Sequence, residues 1–167
     1  MKQYKKESFK AIERGISLNP ILNSFQRTVN QYHIDQYLIQ AFFNSMESDL
    51  TQSQYDRQGY NEYIYGSAEV IGLKCLYIFC EGDRTQFERL KRPARALGAA
   101  FQKVNFLRDI KAGFIDLSRI YFPGCDFHNF AETDKQKIQE DIEHDFKAAY
   151  KGILHLPFKA RFGVYVD

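Results

Sequence analysis

Residues Ala94 to Gly124 read ARALGAAFQKVNFLRDIKAGFIDLSRIYFPG, and their spacing predicts one helix with oxygen-bearing side chains on one face and core on the other. At ~100° per residue, Gln102, Asn105, Asp109, Gly113 and Asp116 fall within ~80° of one another. Leu97, Ala100, Val104, Leu107 and Phe114 take the opposite side and are expected to pack inward. Amide and carboxylate oxygens repeated every three or four residues suit a hard cation such as Mg²⁺, which takes one or two carboxylates and leaves other positions to water and substrate phosphate. The stripe is therefore a candidate site for a diphosphate.

Outward from it, the rest of the chain also reads as helix. Upstream, Asp83 to Lys91 is amphipathic and leads to Pro93, which suits the first turn of the long helix. Before that, NEYIYGSAEVIGLKCLYIFCEG continues a helix that begins near Tyr60 and ends at Glu81-Gly82-Asp83. Gly66 and Gly72 lie inside it, each costing ~1 kcal/mol relative to Ala. Small residues there let something approach the backbone closely, and in an ordinary core that is another helix. Nearer the start, Lys2 to Arg14 stops at Gly15, and Asn19 and Pro20 are placed as N-cap and first residue of the next helix. Ile21, Leu22, Phe25 and Val29 give that helix an apolar face, and Ile34 to Leu50 repeats the pattern through Leu38, Ala41, Phe42 and Met46. The segment TQSQYDRQG is a loop.

Downstream, YFPG forms a turn, and Thr133 or Asp134 is expected to cap a charged helix reaching Leu154, with Ile138, Ile142, Phe146 and Ala149 facing in. Glu143, His144 and Asp145 point in different directions around that helix and read as a solvated face. Pro157 closes it, and FKARFGVYVD begins another. No stretch alternates cleanly enough to be a strand. The expected fold is a single all-α domain.

Composition narrows the function classes. With 167 residues, 44% hydrophobic and 26% charged, the chain can bury a real core. Its net charge of +2 is too small and dispersed to argue for nucleic acid, and the short KQYKK cluster reads as a solvated helix end. Cys75, Cys80 and Cys125 make no even disulfide set and no C-x-x-C, so reduced, buried thiols in a cytoplasmic protein are expected. No apolar run reaches the ~18 residues needed to span a membrane.

Several of these blocks occur together in a known pattern. N-F-L-R-D at 105–109 and R-I-Y-F-P at 119–123, preceded by Gln102 and by YIYGSAEVIGLKCLYIF at 63–79, resemble the second aspartate-rich region of the squalene/phytoene synthase family. The subtype most resembled is bacterial phytoene synthase, and the likeness extends over essentially the whole chain. It implies a helical isoprenoid-synthase fold. It also implies a prenyltransferase of carotenoid biosynthesis that joins two geranylgeranyl diphosphates head to head through a cyclopropyl diphosphate. Mg²⁺, or Mn²⁺ in its place, would be the cofactor, and farnesyl diphosphate is the alternative substrate. A long-chain lipid product would bring the protein to a membrane surface.

By motif position, the resemblance makes Asn105 and Asp109 the catalytic metal ligands. Gln102 and Arg108 would contact the diphosphates, Arg108 as a fixed positive charge. Tyr65, Gly66, Ser67 and Ala68 would border a tunnel for the polyprenyl tail, with the helix open to a break there, while Arg119 and Tyr121 would line the mouth. Asp49 matches an acidic position of the family, the other reading being a solvated charge at a helix end.

Two departures bear on activity. Gly113 stands where the family has a second aspartate, and Asp116, on the same stripe, is ~4.5 Å further along the axis. The family also carries another aspartate-rich motif on a facing helix, whereas before Asp49 this chain has only Asp35. The expectation is therefore the central portion of the fold, incomplete at both ends. The competing function is a catalytically inactive fragment or helical module that binds a prenyl diphosphate or a protein partner.

Overall fold

The computed structural model describes residues 1–52, 55–117, 122–123 and 131–166, with backbone alone at 109–117 and 165–166. In order come α1 (Lys2–Arg14), α2 (Pro20–Gln31), α3 (Gln36–Asp49), α4 (Arg57–Ile64), a π-helical turn (Tyr65–Glu69), α5 (Val70–Phe79), α6 (Arg84–Leu117), α7 (Glu132–Ile153) and α8 (Phe158–Val166). No strand occurs among the described residues. The expected all-α class is what is observed.

Local chemistry explains the boundaries. Gly15 ends α1 at φ 69°, a left-handed conformation that glycine adopts without Cβ strain. The Asn19 side chain accepts from the amides of Ile21 and Leu22, with Pro20 as the first residue of α2. Asp56 caps α4 by accepting from Gly59 N at 2.7 Å. The capping expected of Thr133 or Asp134 is not found: Ala131 takes the N-cap position, two residues before Thr133, and α7 starts at Glu132 without a side-chain cap.

The long helix differs most from expectation. It begins at Arg84, ten residues before Ala94, and Pro93 lies in its interior. Asp83 supplies the N-terminal stop, its carboxylate accepting from Gln86 N at 2.9 Å. Pro93 costs one backbone hydrogen bond, but its ring packs on Gly152 of α7, where a Cβ would collide with it. The α6–α7 contact is thus built around the proline.

Two clusters form the core. The larger joins Leu38, Ile39 and Phe43 of α3 to Val70, Leu73 and Leu76 of α5, with Phe87 and Leu90 of α6 packed on them. The second is mainly aromatic, with Tyr55, Tyr60 and Tyr63 against Phe106, Phe122, Ile138 and Ile142. Three residues expected inside are exposed instead: Ile21, Val104 and Phe146. For Val104 the period alone fixed the wrong edge of the apolar stripe, because α6 is contacted on several sides and buries Ala99, Ala100, Lys103 and Phe106.

Gly66 and Gly72 are sites of helix contact. A Cβ on Gly66 would sit 2.6 Å from Ser45 Cβ and 2.7 Å from the Ala41 carbonyl oxygen of α3, and one on Gly72 would strike the Ala94 carbonyl of α6. Ala68 meets Gly98 in the same way. The pairs 68 with 98 and 72 with 94 set α5 antiparallel to α6. On the other side of α6, Pro93 with Gly152 and Lys103 with Asp145 set α7 antiparallel to it as well.

Candidate functional site

Between α5, α6, α7 and α8 lies a cavity of about 400 Å³. Its walls are almost entirely apolar, with Ile71 and Leu76 from α5, Leu97 and Phe101 from α6, and Ala149 and Ile153 from α7. One end carries the polar groups Ser67 and Gln102, beside Ala68 and Gly98. Ser67 Oγ is buried without a hydrogen-bond partner. Leaving a buried hydroxyl unpaired costs free energy, and this one lies where the helix is wound as a π-turn. Such turns insert one extra residue and recur at functional sites. The helix thus departs from regular α geometry at the place expected to break.

The candidate residues separate into three groups. Ser67, Ala68 and Gln102 are brought together around one end of the cavity. Asn105, half-buried, is the next position along the same face of α6, and Asp109 follows one turn later in the backbone. The side chains of Asp109, Gly113 and Asp116 lie outside the described residues, as do Arg119 and Tyr121 entirely. Arg108 is exposed. Tyr65 stands apart: it faces a groove with Glu62, Glu69 and Arg95, away from Ser67 and Gln102. Its ring lies 5.3 Å from the Arg95 guanidinium, which in turn is held 2.5 Å from Glu69.

Asp49 is half-buried, not freely solvated. Tyr63 Oη donates to its Oδ1 at 3.3 Å, and the Tyr63 ring is 5.8 Å from Phe106. The C-terminal end of α3 is therefore at the Asn105 end of α6. Asp35 is at the opposite end, accepting from Tyr77 Oη at 2.5 Å beside Arg84. That hydrogen bond and burial hold the Tyr77 hydroxyl up at about 12, with burial the larger cause.

Two participants were not legible as such. Lys103, on a charged-looking helix, is 8% exposed and bridges to Asp141 at 2.6 Å and Asp145 at 2.7 Å. Burial pulls its pKa down, but the hydrogen bonds it donates to both carboxylates, with their negative charge, outweigh this and keep it raised. Asp145, expected on a solvated face, is the inner partner of that pair. Cys75, expected buried, is exposed at the cavity wall, while Cys80 is buried; Cys125 lies outside the described residues.

Among the described residues no group of three His, Cys, Asp or Glu side chains is close enough to hold a metal ion. What that stretch supplies is amide oxygen, from Gln102 and Asn105. With the Asp109 carboxylate in sequence and diphosphate oxygens from a substrate, such hard donors suit Mg²⁺, which rarely takes an all-protein shell.

The family model for squalene/phytoene synthase matches residues 2–161 of this chain. No curated protein matches its sequence. Among solved structures, the chain is similar to the crystal structure of squalene synthase HpnC from Alicyclobacillus acidocaldarius, with a TM-score of 0.81 at 18% identity. The match covers 96% of this chain and 65% of that one, so this chain spans about 65% of the length of that relative. At that identity the likeness establishes a shared helical fold.

Proposed function

The chain belongs to the squalene/phytoene synthase family, and from that membership we propose that it serves in a prenyltransferase joining two geranylgeranyl diphosphates head to head to give phytoene, through a cyclopropyl diphosphate. The observation that carries this reading is an apolar cavity of about 400 Å³ whose polar end carries Gln102, a residue of α6 followed along the same helix by Asn105 and Asp109. A prenyl diphosphate has the same two-part chemistry, a long hydrocarbon tail and a compact polyanion.

In this reading Gln102 and Arg108 contact the diphosphate, and Arg119 and Tyr121 line the same mouth. Asn105 and Asp109 would hold Mg²⁺, or Mn²⁺ in its place, and the metal when bound neutralises negative charge on the departing diphosphate. Ser67 and Ala68 border the start of the tail. Tyr65 contributes from outside the cavity, seating the π-turn against Arg95. Apolar walls keep water from the allylic cation left when the C1–oxygen bond breaks, and so prevent its hydrolysis. We place the protein in the cytoplasm, touching the membrane surface to deliver its product. No helix among the described residues is long and apolar enough to cross a membrane.

The test is incubation of the full chain with geranylgeranyl diphosphate and Mg²⁺, following phytoene by chromatography and diphosphate release by coupled assay. Metal-dependent formation of both products, abolished by Asp109→Asn, is expected. A second reading is a helical module that binds a prenyl diphosphate or a partner without turnover. Phe101 and Phe146, 49% and 39% exposed with rings 5.9 Å apart beside the cavity, favour it. Tight substrate binding with no diphosphate release would select this module over the enzyme.

A further inference from the structure

We propose that the corner formed by the end of α7 and by α8 is a docking surface for a bilayer that carries anionic lipid. It gives a face to the membrane contact proposed above, and rests on that reading only for its purpose, the delivery of a long-chain product.

Charge is divided along this part of the chain. Residues 132–145 carry six carboxylates and two lysines. From Phe146 to Val166 there is no carboxylate, and the charged residues are Lys147, Lys151, Lys159 and Arg161. Lys147 is paired with Glu143, one turn back, at 3.1 Å. Among the described residues no carboxylate is paired with Lys151, Lys159 or Arg161, and Arg161 donates instead to the Leu156 carbonyl at 3.1 Å. Three positive charges at this corner are therefore uncompensated.

The same segment exposes large apolar side chains. Phe158 and Phe162, one turn apart on α8, are 84% and 73% exposed, and Leu154 at the end of α7 is exposed as well. Leu154 is four residues from Phe158, so no more than ~14 Å of chain separates them. Leu156 and Val164 pack the other way, into the larger core cluster, and hold α8 from behind. One exposed phenylalanine needs no explanation, but two beside unpaired cations on a short helix have the composition of a segment lying in a lipid interface. There the rings enter the acyl boundary, and the long lysine stems let the charges stay among the headgroups.

Charge also selects the occupant. A second copy related by a two-fold axis would set this patch against itself, and like charges brought together oppose pairing. A surface bearing phosphatidylserine attracts each cation instead, by roughly fivefold in affinity per residue. The turn between α1 and α2 exposes Ile16, Leu18 and Ile21 too. Its neighbouring lysines are partly neutralised, however, Lys5 by Glu47 and Lys10 by Glu7.

The test pellets the full chain with vesicles of phosphatidylcholine alone or with about one-third phosphatidylserine. Binding to the anionic vesicles only, weakening as salt is raised, is expected. Lys151→Gln with Lys159→Gln should lower the vesicle partition coefficient about 25-fold, and Phe158→Ser with Phe162→Ser at least about tenfold. All four side chains are exposed, so the circular dichroism should not change. The chain contains no tryptophan, so Phe158→Trp should report insertion by a blue shift in emission, whereas Leu18→Trp should show none. Equal binding to neutral vesicles, or binding undiminished in both double variants, would overturn the proposal. A blue shift at Leu18→Trp without one at Phe158→Trp would also overturn it, and would assign the contact to the α1–α2 turn. A lipid-free dimer made monomeric by Phe158→Ser with Phe162→Ser would overturn it in favour of a second copy. Vesicle binding is read without substrate, so a chain that binds through α8 yet forms no phytoene would sink the prenyltransferase reading and leave the docking surface standing.

Discussion

At the scale of single residues, two positions oppose what surrounds them. Lys74 has its Nζ 4.5 Å from the centre of the Phe42 ring, and burial lowers its pKa to about 8. An unfolded chain holds that proton to about 10.4. Between these values the unfolded state binds more protons than the folded one, so this group makes stability rise with pH across that window. Below pH 8 the buried charge is a constant penalty. Lys74→Met, which keeps the length and apolar stem, should stabilise the protein at pH 7 by ~1 kcal/mol after the lost cation–π contact is set against relieved desolvation. Urea midpoints at pH 7 and pH 10 check this: the gain should shrink at the higher pH, and an equal gain at both would assign it to packing. Gly113 is the second such position, a helix-weakening residue of α6 where the sequence resemblance leads one to expect a carboxylate. Gly113→Asp should strengthen Mg²⁺-dependent binding of inorganic diphosphate about tenfold. Unchanged calorimetric affinity would mean that this position does not face the metal.

At the scale of elements, Lys103 ties α6 to α7. Its two carboxylate partners are both on α7, and the candidate site residues Gln102 and Asn105 flank it in sequence. Lys103→Met removes two charge-assisted hydrogen bonds and leaves Asp145 partly buried without its partner, so a loss of ~2–3 kcal/mol is expected in equilibrium unfolding. Asp141→Asn, at the more exposed partner, should cost under ~1 kcal/mol. This clamp was hidden in the sequence for a physical reason. A lysine among apolar residues looks solvent-facing until the partner helix is placed, and that placement is long-range. Caps, by contrast, are local, and Gly15, Asn19 and Pro20 were legible because the bonds they make lie within three or four residues. Pro93 shows how a local rule can lose. Its preference for a first turn was overridden because the Asp83 cap starts the helix earlier and Gly152 of α7 accommodates the ring. Of the candidate site, the stripe through Gln102 and Asn105 was readable from a 3.6-residue period. That Tyr65 turns away from Ser67 also follows from the period, since residues two apart sit ~200° apart around a helix, and the expectation that both border one tunnel came from the resemblance alone.

At the scale of the whole molecule, the cavity is the seam where four elements meet. Each contributes wall residues to it, α5 through Ile71, α6 through Leu97, α7 through Ala149 and α8 through Val164. A tail lying in that seam would contact all four at once, and none of those contacts exists in the unfolded chain. Binding to the folded state alone stabilises it by ~2.7 kcal/mol at a hundredfold excess over the dissociation constant, and by ~4.1 kcal/mol at a thousandfold. The source of the gain can be separated by ligand. Inorganic diphosphate reaches the α6 stripe and leaves the seam unfilled, while a prenyl alcohol fills the seam without engaging the stripe. Geranylgeranyl diphosphate does both through one covalent link, so the ordering cost of bringing the two halves together is already met in the ligand. Thermal unfolding followed by circular dichroism should therefore show a larger rise in midpoint with geranylgeranyl diphosphate than the sum of rises with geranylgeraniol and diphosphate at the same concentrations. Equal rises with the alcohol alone would mean that the α6 stripe contributes nothing to recognition, and the cavity would then be a lipid site without a diphosphate end.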